Sequence, residues 1–155
     1  MSFDNSLATK IQRKLCTIAH VIRLALLAYG WGKRYLLKVT EANQPPVISI
    51  DHRKLFLRVR PGTDTKARAA IMDQWYRGQV KHAAPPLIAK WEPTLAVRVE
   101  RFFVRRMRTK WGSCNPIKRT IRLNTDLARK PPECLEYIVV HEMVHLLVQR
   151  GGSKW

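Results

Sequence analysis

Tyr137-Ile138-Val139-Val140-His141-Glu142-Met143-Val144-His145 is the stretch on which the reading of this chain turns. An apolar run leads directly into the pattern H-E-x-x-H. On an α-helix, residues four apart share a face, so His141 and His145 can offer two imidazole nitrogens to one metal ion. Glu142 stands on the flank of that face, where its carboxylate can take a proton from a water held by the ion. A hydrolytic zinc site takes three protein ligands and leaves one position open. Two ligands are visible in this stretch.

The competing reading is a bystander helix whose two histidines are satisfied by core hydrogen bonds. That reading must also accommodate Glu142, because Ile138, His141, Glu142 and His145 form one stripe, and an unpartnered buried carboxylate is costly. The cysteines nearest in sequence, Cys114 and Cys134, are candidate thiolate ligands, although such residues are more often plain core or loop cysteines.

Working outward, Lys130-Pro131-Pro132-Glu133 opens this last helix, since proline is tolerated in a first turn and Glu133 suits the positive end of the helix dipole. Gly151-Gly152 is the expected stop. Upstream, Ile117 to Asn124 and Leu95 to Val104 read as strands, with a turn around Asn115-Pro116. A helix is predicted from about Asp64 to His82, capped by Pro61-Gly62-Thr63-Asp64 and broken by Pro85-Pro86. A second short helix is expected over Leu87 to Pro93. Tyr35 to Val39, Val47 to Ile50 and Lys54 to Arg60 read as three short strands, and their brief connections suggest an antiparallel meander.

Residues 1–29 begin polar and become apolar from Leu15 to Tyr29, superficially like a signal peptide. His20 and Arg23 interrupt the run, which is shorter than the roughly 20 residues needed to span a bilayer. A helix packed on the domain is the expectation there. Cys16, Cys114 and Cys134 are odd in number and form no C-x-x-C pair, which argues against a disulfide framework and for a reducing, cytoplasmic setting.

The 155 residues suffice for one domain with a core, and the 46% hydrophobic fraction argues against a disordered or fibrous protein. Lys and Arg number 29 against 11 Asp and Glu, a formal net charge of +18. Such an excess favours acidic partners, nucleic acid or nucleotides among them, although a basic surface with no dedicated partner is an equal alternative.

Arg105 to Asn115 with its Trp111-Gly112-Ser113-Cys114 core, then Ile121-Arg122-Leu123-Asn124, then Lys130 to Leu147, resemble the YgjP-like family of metal-dependent hydrolases. These are zincin-type proteins distantly related to SprT-like proteases. The resemblance runs from about Gly30 to Arg150 and is strongest after Pro61. It implies an α+β fold of antiparallel strands with helices and a C-terminal zincin-type metal helix. It also implies Zn2+ as cofactor, His141 and His145 as its ligands, Glu142 as the catalytic base, and Trp111, Gly112, Ser113 and Cys114 near the substrate groove. Family members are described as metallopeptidases, some as nucleoside-triphosphate pyrophosphatases.

Two departures accompany the resemblance. The family carries a third histidine six residues after the second, a position held here by Gly151, and residues 1–28 do not resemble the family's opening strands and helix. The expected organisation is therefore a poorly matching helical segment over 1–29 and a YgjP-like domain over 30–155 that is truncated at its C-terminus. Three functions compete: a zinc-dependent hydrolase of peptides or nucleotides, an impaired remnant with weakly held zinc, and a basic nucleic-acid-binding module.

Overall fold

A computed structural model of the chain describes residues 27–148. They fold as two small mixed sheets with two α-helices and one 3-10 turn, an α+β arrangement. The described residues divide between two compact units, one containing Tyr35–Pro61 and the other Tyr29–Arg34 with the chain from Gly62 onward. Among the described residues, no helix is long and apolar enough to cross a membrane.

The first sheet has the order β1-β2-β4-β3, from β1 (Leu27–Gly30), β2 (Lys33–Glu41), β3 (Val47–Asp51) and β4 (Lys54–Val59). The alternation read in the sequence holds for β4, whose Leu55, Leu57 and Val59 are buried. The meander does not hold. β3 and β4 form an antiparallel hairpin about His52, but β4 then lies parallel to β2, pairing Leu36 with Lys54 through to Glu41 with Val59. The tight Asp51-His52-Arg53 turn fixes the hairpin, whereas residues 42–46 are long enough to carry β3 past β4's place. Pro45 and Pro46, lacking N–H groups, add nothing to a ladder there.

The helix expected over residues 1–29 lies outside the described residues except at its end, where Leu27–Gly30 is a strand instead. The signal for this was Gly30-Trp31-Gly32-Lys33. Trp31 and Gly32 both take positive φ, +50° and +76°, as a two-residue hairpin turn requires.

In the second unit, α1 (Thr65–Leu95) starts as predicted, with Asp64 Oδ1 accepting from the Ala67 backbone N–H at 2.7 Å. It does not stop at Pro85-Pro86. The two prolines are exposed, while Tyr76, Val80, Ala84 and Ile88 continue a buried stripe at four-residue spacing straight past them. Proline inside a helix costs about 3 kcal/mol. Burial of the stripe outweighs the local penalty, and the two expected helices are one.

The second sheet, order β5-β7-β6, comprises β5 (Arg101–Arg105), β6 (Gly112–Asn115) and β7 (Thr120–Asn124). β5 runs parallel and β6 antiparallel to β7. The strand expected from Leu95 begins six residues later, because Leu95 closes α1 and Ala96 caps it in the left-handed region. The strand expected from Ile117 likewise begins at Thr120, since residues 116–119 form the turn after β6. A 3-10 turn (Thr125–Arg129) leads to α2 (Pro132–Val148), and the expected stop at Gly151-Gly152 lies outside the described residues. Ile121 and Leu123 of β7, Leu127, and Leu135, Val139 and Met143 of α2 join Val80 and Ala84 in one core. Burying each such side chain is worth roughly 1.5–3 kcal/mol.

Candidate metal centre

The core fixes the orientation of α2. Leu135, Val139, Met143 and Leu146 face inward, so His141 and His145, two to three positions around the helix, face outward and are exposed. Neither imidazole lies in the core, so core hydrogen bonds do not account for their placement. His141 Nε2 and His145 Nε2 are 3.1 Å apart. That is a hydrogen-bond distance, and it is also close to the roughly 3.3–3.4 Å that separates two imidazole nitrogens on one tetrahedral zinc. Tyr137, one turn earlier, stacks on the His141 ring with centroids 6.0 Å apart.

Glu142 is the polar exception on the inward side, only 6% exposed. Its burial pushes the carboxyl pKa up from the ordinary value, against the opposing pull of His141, His145 and Lys110. The cause is desolvation of the charged form. The result is a carboxyl group with more affinity for a proton than one in water, set beside the imidazoles of His141 and His145.

What lies over Glu142 is the Trp111-Gly112-Ser113-Cys114 segment. A Cβ built on Gly112 would fall 2.7 Å from Glu142 Oε1 and 2.8 Å from Ile138 Cγ2. Only a residue without a side chain lets β6 approach α2 so closely. Gly112 thus faces the carboxylate, and Cys114, two residues on, shares that side. Burial and the Glu142 charge both raise the Cys114 thiol pKa. Trp111 lies beside this arrangement and lines an apolar groove of about 430 Å³ together with Leu127, Lys130, Glu133, Cys134, Tyr137 and Ile138. Lys130 Nζ sits 5.5 Å from the Trp111 ring centroid. Ser113 alternates to the opposite face of β6, so it does not share the side of Gly112 and Cys114.

Asn124 was quoted in the sequence pattern without a role, and the structure supplies one. Buried at the end of β7, its amide donates to the carbonyls of Met107 at 2.9 Å and Lys110 at 2.8 Å, while its Oδ1 accepts from the Asp126 N–H. Its own N–H donates to Trp111 O at 2.9 Å. One side chain therefore pins the loop that delivers Lys110, Trp111 and Gly112 to Glu142. An asparagine after a strand signals at most a cap, and its two distant carbonyl partners leave no mark in sequence spacing.

Among the described residues, no group of three or more His, Cys, Asp or Glu is placed to hold a metal. Cys114 and Cys134 therefore do not complete the histidine pair as thiolates. Gly151, the position six beyond His145, is outside the described residues. The donors described are two imidazoles, which fit zinc as part of a ligand set.

A family model for the YgjP-like metallopeptidase domain matches residues 6–153. The chain belongs to the YgjP-like metallopeptidase family. The match takes in the N-terminal residues that the sequence reading placed outside the resemblance, and it implies a metal-dependent hydrolase in general terms. No curated protein and no solved structure matches the chain.

Proposed function

We propose that this YgjP-like chain is a zinc-dependent hydrolase of peptides, with His141 and His145 as metal ligands and Glu142 as general base. The observation that carries the proposal is the 3.1 Å spacing of the two Nε2 atoms beside a buried, proton-seeking carboxylate. Zinc, when bound, polarises the scissile carbonyl and acidifies water. Glu142 accepts the proton from the attacking water at its carboxylate and returns it to the departing amine. Its proximity to Gly112 holds the carboxylate in place, and Lys110 favours its charged form between transfers. The groove walled by Trp111, Tyr137 and Ile138 receives an apolar side chain of the substrate, since its lining is nearly all carbon.

Gly151 in place of a third histidine leads to weak zinc retention. The free thiols of Cys114 and Cys134 suit a cytoplasmic setting. The nucleotide-pyrophosphatase alternative would use the same three residues, and a substrate panel separates the two. The purified chain is supplied with zinc and offered a peptide mixture and, in parallel, nucleoside triphosphates. Peptide cleavage is expected, and a Glu142→Gln variant should lose about 10²- to 10⁴-fold in rate. Unchanged cleavage by that variant rules out Glu142 as the base, and cleavage confined to triphosphates selects the alternative. Metal analysis should find zinc lost to chelator during dialysis. One zinc per chain retained through that treatment would show that a complete ligand set exists.

A further inference from the structure

The second sheet has another face, turned away from Glu142, and nothing proposed above uses it. Val104 of β5 and Ile121 and Leu123 of β7 point into the core, so Arg101, Phe103 and Arg105 of β5 and Arg122 of β7 point outward, and all four are exposed. Gly112 faces Glu142, which puts Ser113 and Asn115 of β6 on this outer face as well. The register places Phe103 next to Arg122 and Arg122 next to Ser113, with Arg101 next to Thr120. Lys118, in the turn after β6, lines a depression of about 410 Å³ on this surface together with Arg101, Phe103, Asn115, Thr120 and Arg122.

Two properties of the face stand out physically. Arg101, Arg105, Lys118 and Arg122 make no ion pair with any described residue, whereas Arg106, just past the strand, bridges Asp73 and Asp126. Glu100, the one carboxylate among the described residues lining the depression, pairs with Arg98 at 3.9 Å. Within this positive field Phe103 is 39% exposed, an aromatic ring with no aromatic partner among the described residues. Cations that repel one another across neighbouring strands call for a polyanion, and the exposed ring calls for a flat apolar partner. Single-stranded nucleic acid supplies both, because its phosphates follow a basic groove while its unpaired bases stack on aromatic side chains. A duplex hides its base faces, and the Asp and Glu side chains that make a peptide acidic carry no ring to stack, whereas every unpaired nucleotide pairs a phosphate with a base.

We infer that this face binds single-stranded nucleic acid, the backbone running along Arg101, Arg105, Arg122 and Lys118 and one base stacking on Phe103. The inference does not depend on the hydrolase reading, since none of these residues touches Glu142 or the histidines.

Fluorescence anisotropy with the full chain tests it, using labelled 12-nucleotide oligo(dT) and oligo(U), an abasic 12-mer of equal charge, and a 12-base-pair duplex. The single strands should bind about fivefold or more tightly than the abasic strand, the ratio expected for one stacked base. Phe103→Ala should bring that ratio close to one, and Phe103→Leu, which keeps apolar bulk for folding, should do the same. A double Arg101→Gln, Arg122→Gln variant should weaken all strands alike and lower the log–log salt slope by about 0.7 per charge removed. Preference between oligo(dT) and oligo(U) assigns DNA or RNA as the partner. Equal binding of abasic and base-bearing strands, duplex binding as tight as single-strand binding, or wild-type affinity in the double variant would each overturn the inference.

Discussion

Gly112→Ala is the substitution whose effect follows most directly from the structure. The new Cβ would lie 2.7 Å from Glu142 Oε1, 2.9 Å from Glu142 Cγ and 2.8 Å from Ile138 Cγ2. Non-bonded heavy atoms are comfortable at about 3.5 Å or more, so the two elements must separate by roughly 0.7 Å at this point. Ile138 yields little, because its branched Cβ fixes χ1 on a helix. The cost should fall in the range of about 1–3 kcal/mol found for overpacked cores. Each kcal/mol lowers the melting temperature of a domain this size by roughly 2–4 °C. Moving the base by that distance should also slow hydrolysis by up to about 10²-fold. The control has the opposite sign. A Cβ at Gly78, inside α1, meets nothing within 4 Å, so Gly78→Ala should stabilise by about 0.5–1 kcal/mol. Thermal melts of both variants, followed by hydrolysis assays, decide the matter. A Gly112→Ala protein as stable as the parent would refute the close approach of β6 to α2. In an Ile138→Ala background, which lacks the clashing Cγ2 methyl, the cost of Gly112→Ala should be smaller if the approach is as described.

Asn124→Ala leaves the carbonyls of Met107 and Lys110 without their donor and should cost about 2–4 kcal/mol, read by denaturant titration; a loss under 0.5 kcal/mol would show that the loop is held by something else. For Glu142 the folded pKa is raised above 4.5, so the native state binds the extra proton and stability declines as pH rises through the interval from 4.5 to the folded value. Glu142→Gln lacks that decline, and its melting temperature relative to the parent, both free of metal, should therefore rise from pH 4 to pH 8; a constant difference would contradict the burial. Cys114 should react slowly with iodoacetamide at pH 8 and faster in Glu142→Gln, because the carboxylate is one cause of its raised pKa. Peptide mass spectrometry reads the modification site by site, and equal rates in the two proteins would place the charge elsewhere.

The helix that carries His141 and His145 was legible because its apolar run and its opening Pro131-Pro132-Glu133 are local signals. Local periodicity likewise marked β2, β3 and β4, and the start of α1 at Asp64. Where the reading failed, long-range contacts had overruled local preference. Pro85-Pro86 is a strong break signal on its own, but Val80, Ala84 and Ile88 are buried around it by residues far away in sequence. The parallel pairing of β2 with β4 depends on which strand lies between two others, a property that no single strand encodes. At the site, the pattern indicated Gly112 without its reason, which is a distance to Glu142. Asn124 went unassigned because its partners are 14 and 17 residues away along the chain.

The Trp31 turn carries a consequence for the order in which this molecule can be assembled. Trp31 N–H donates to Ala128 O at 2.7 Å, its indole to Gln79, and Gly32 fits against Pro131 with no room for a Cβ. On the ribosome these anchors appear long after the turn does. Chain growth at about 5–20 residues per second puts roughly 5–20 seconds between Trp31 and Ala128. Throughout that delay the hairpin tip has no place to dock, and a large indole stays in water on a nascent chain. The turn that receives Trp31 leads directly into the helix that carries the histidines, so the docking of the hairpin tip and the arrival of the candidate catalytic element are adjacent events in synthesis.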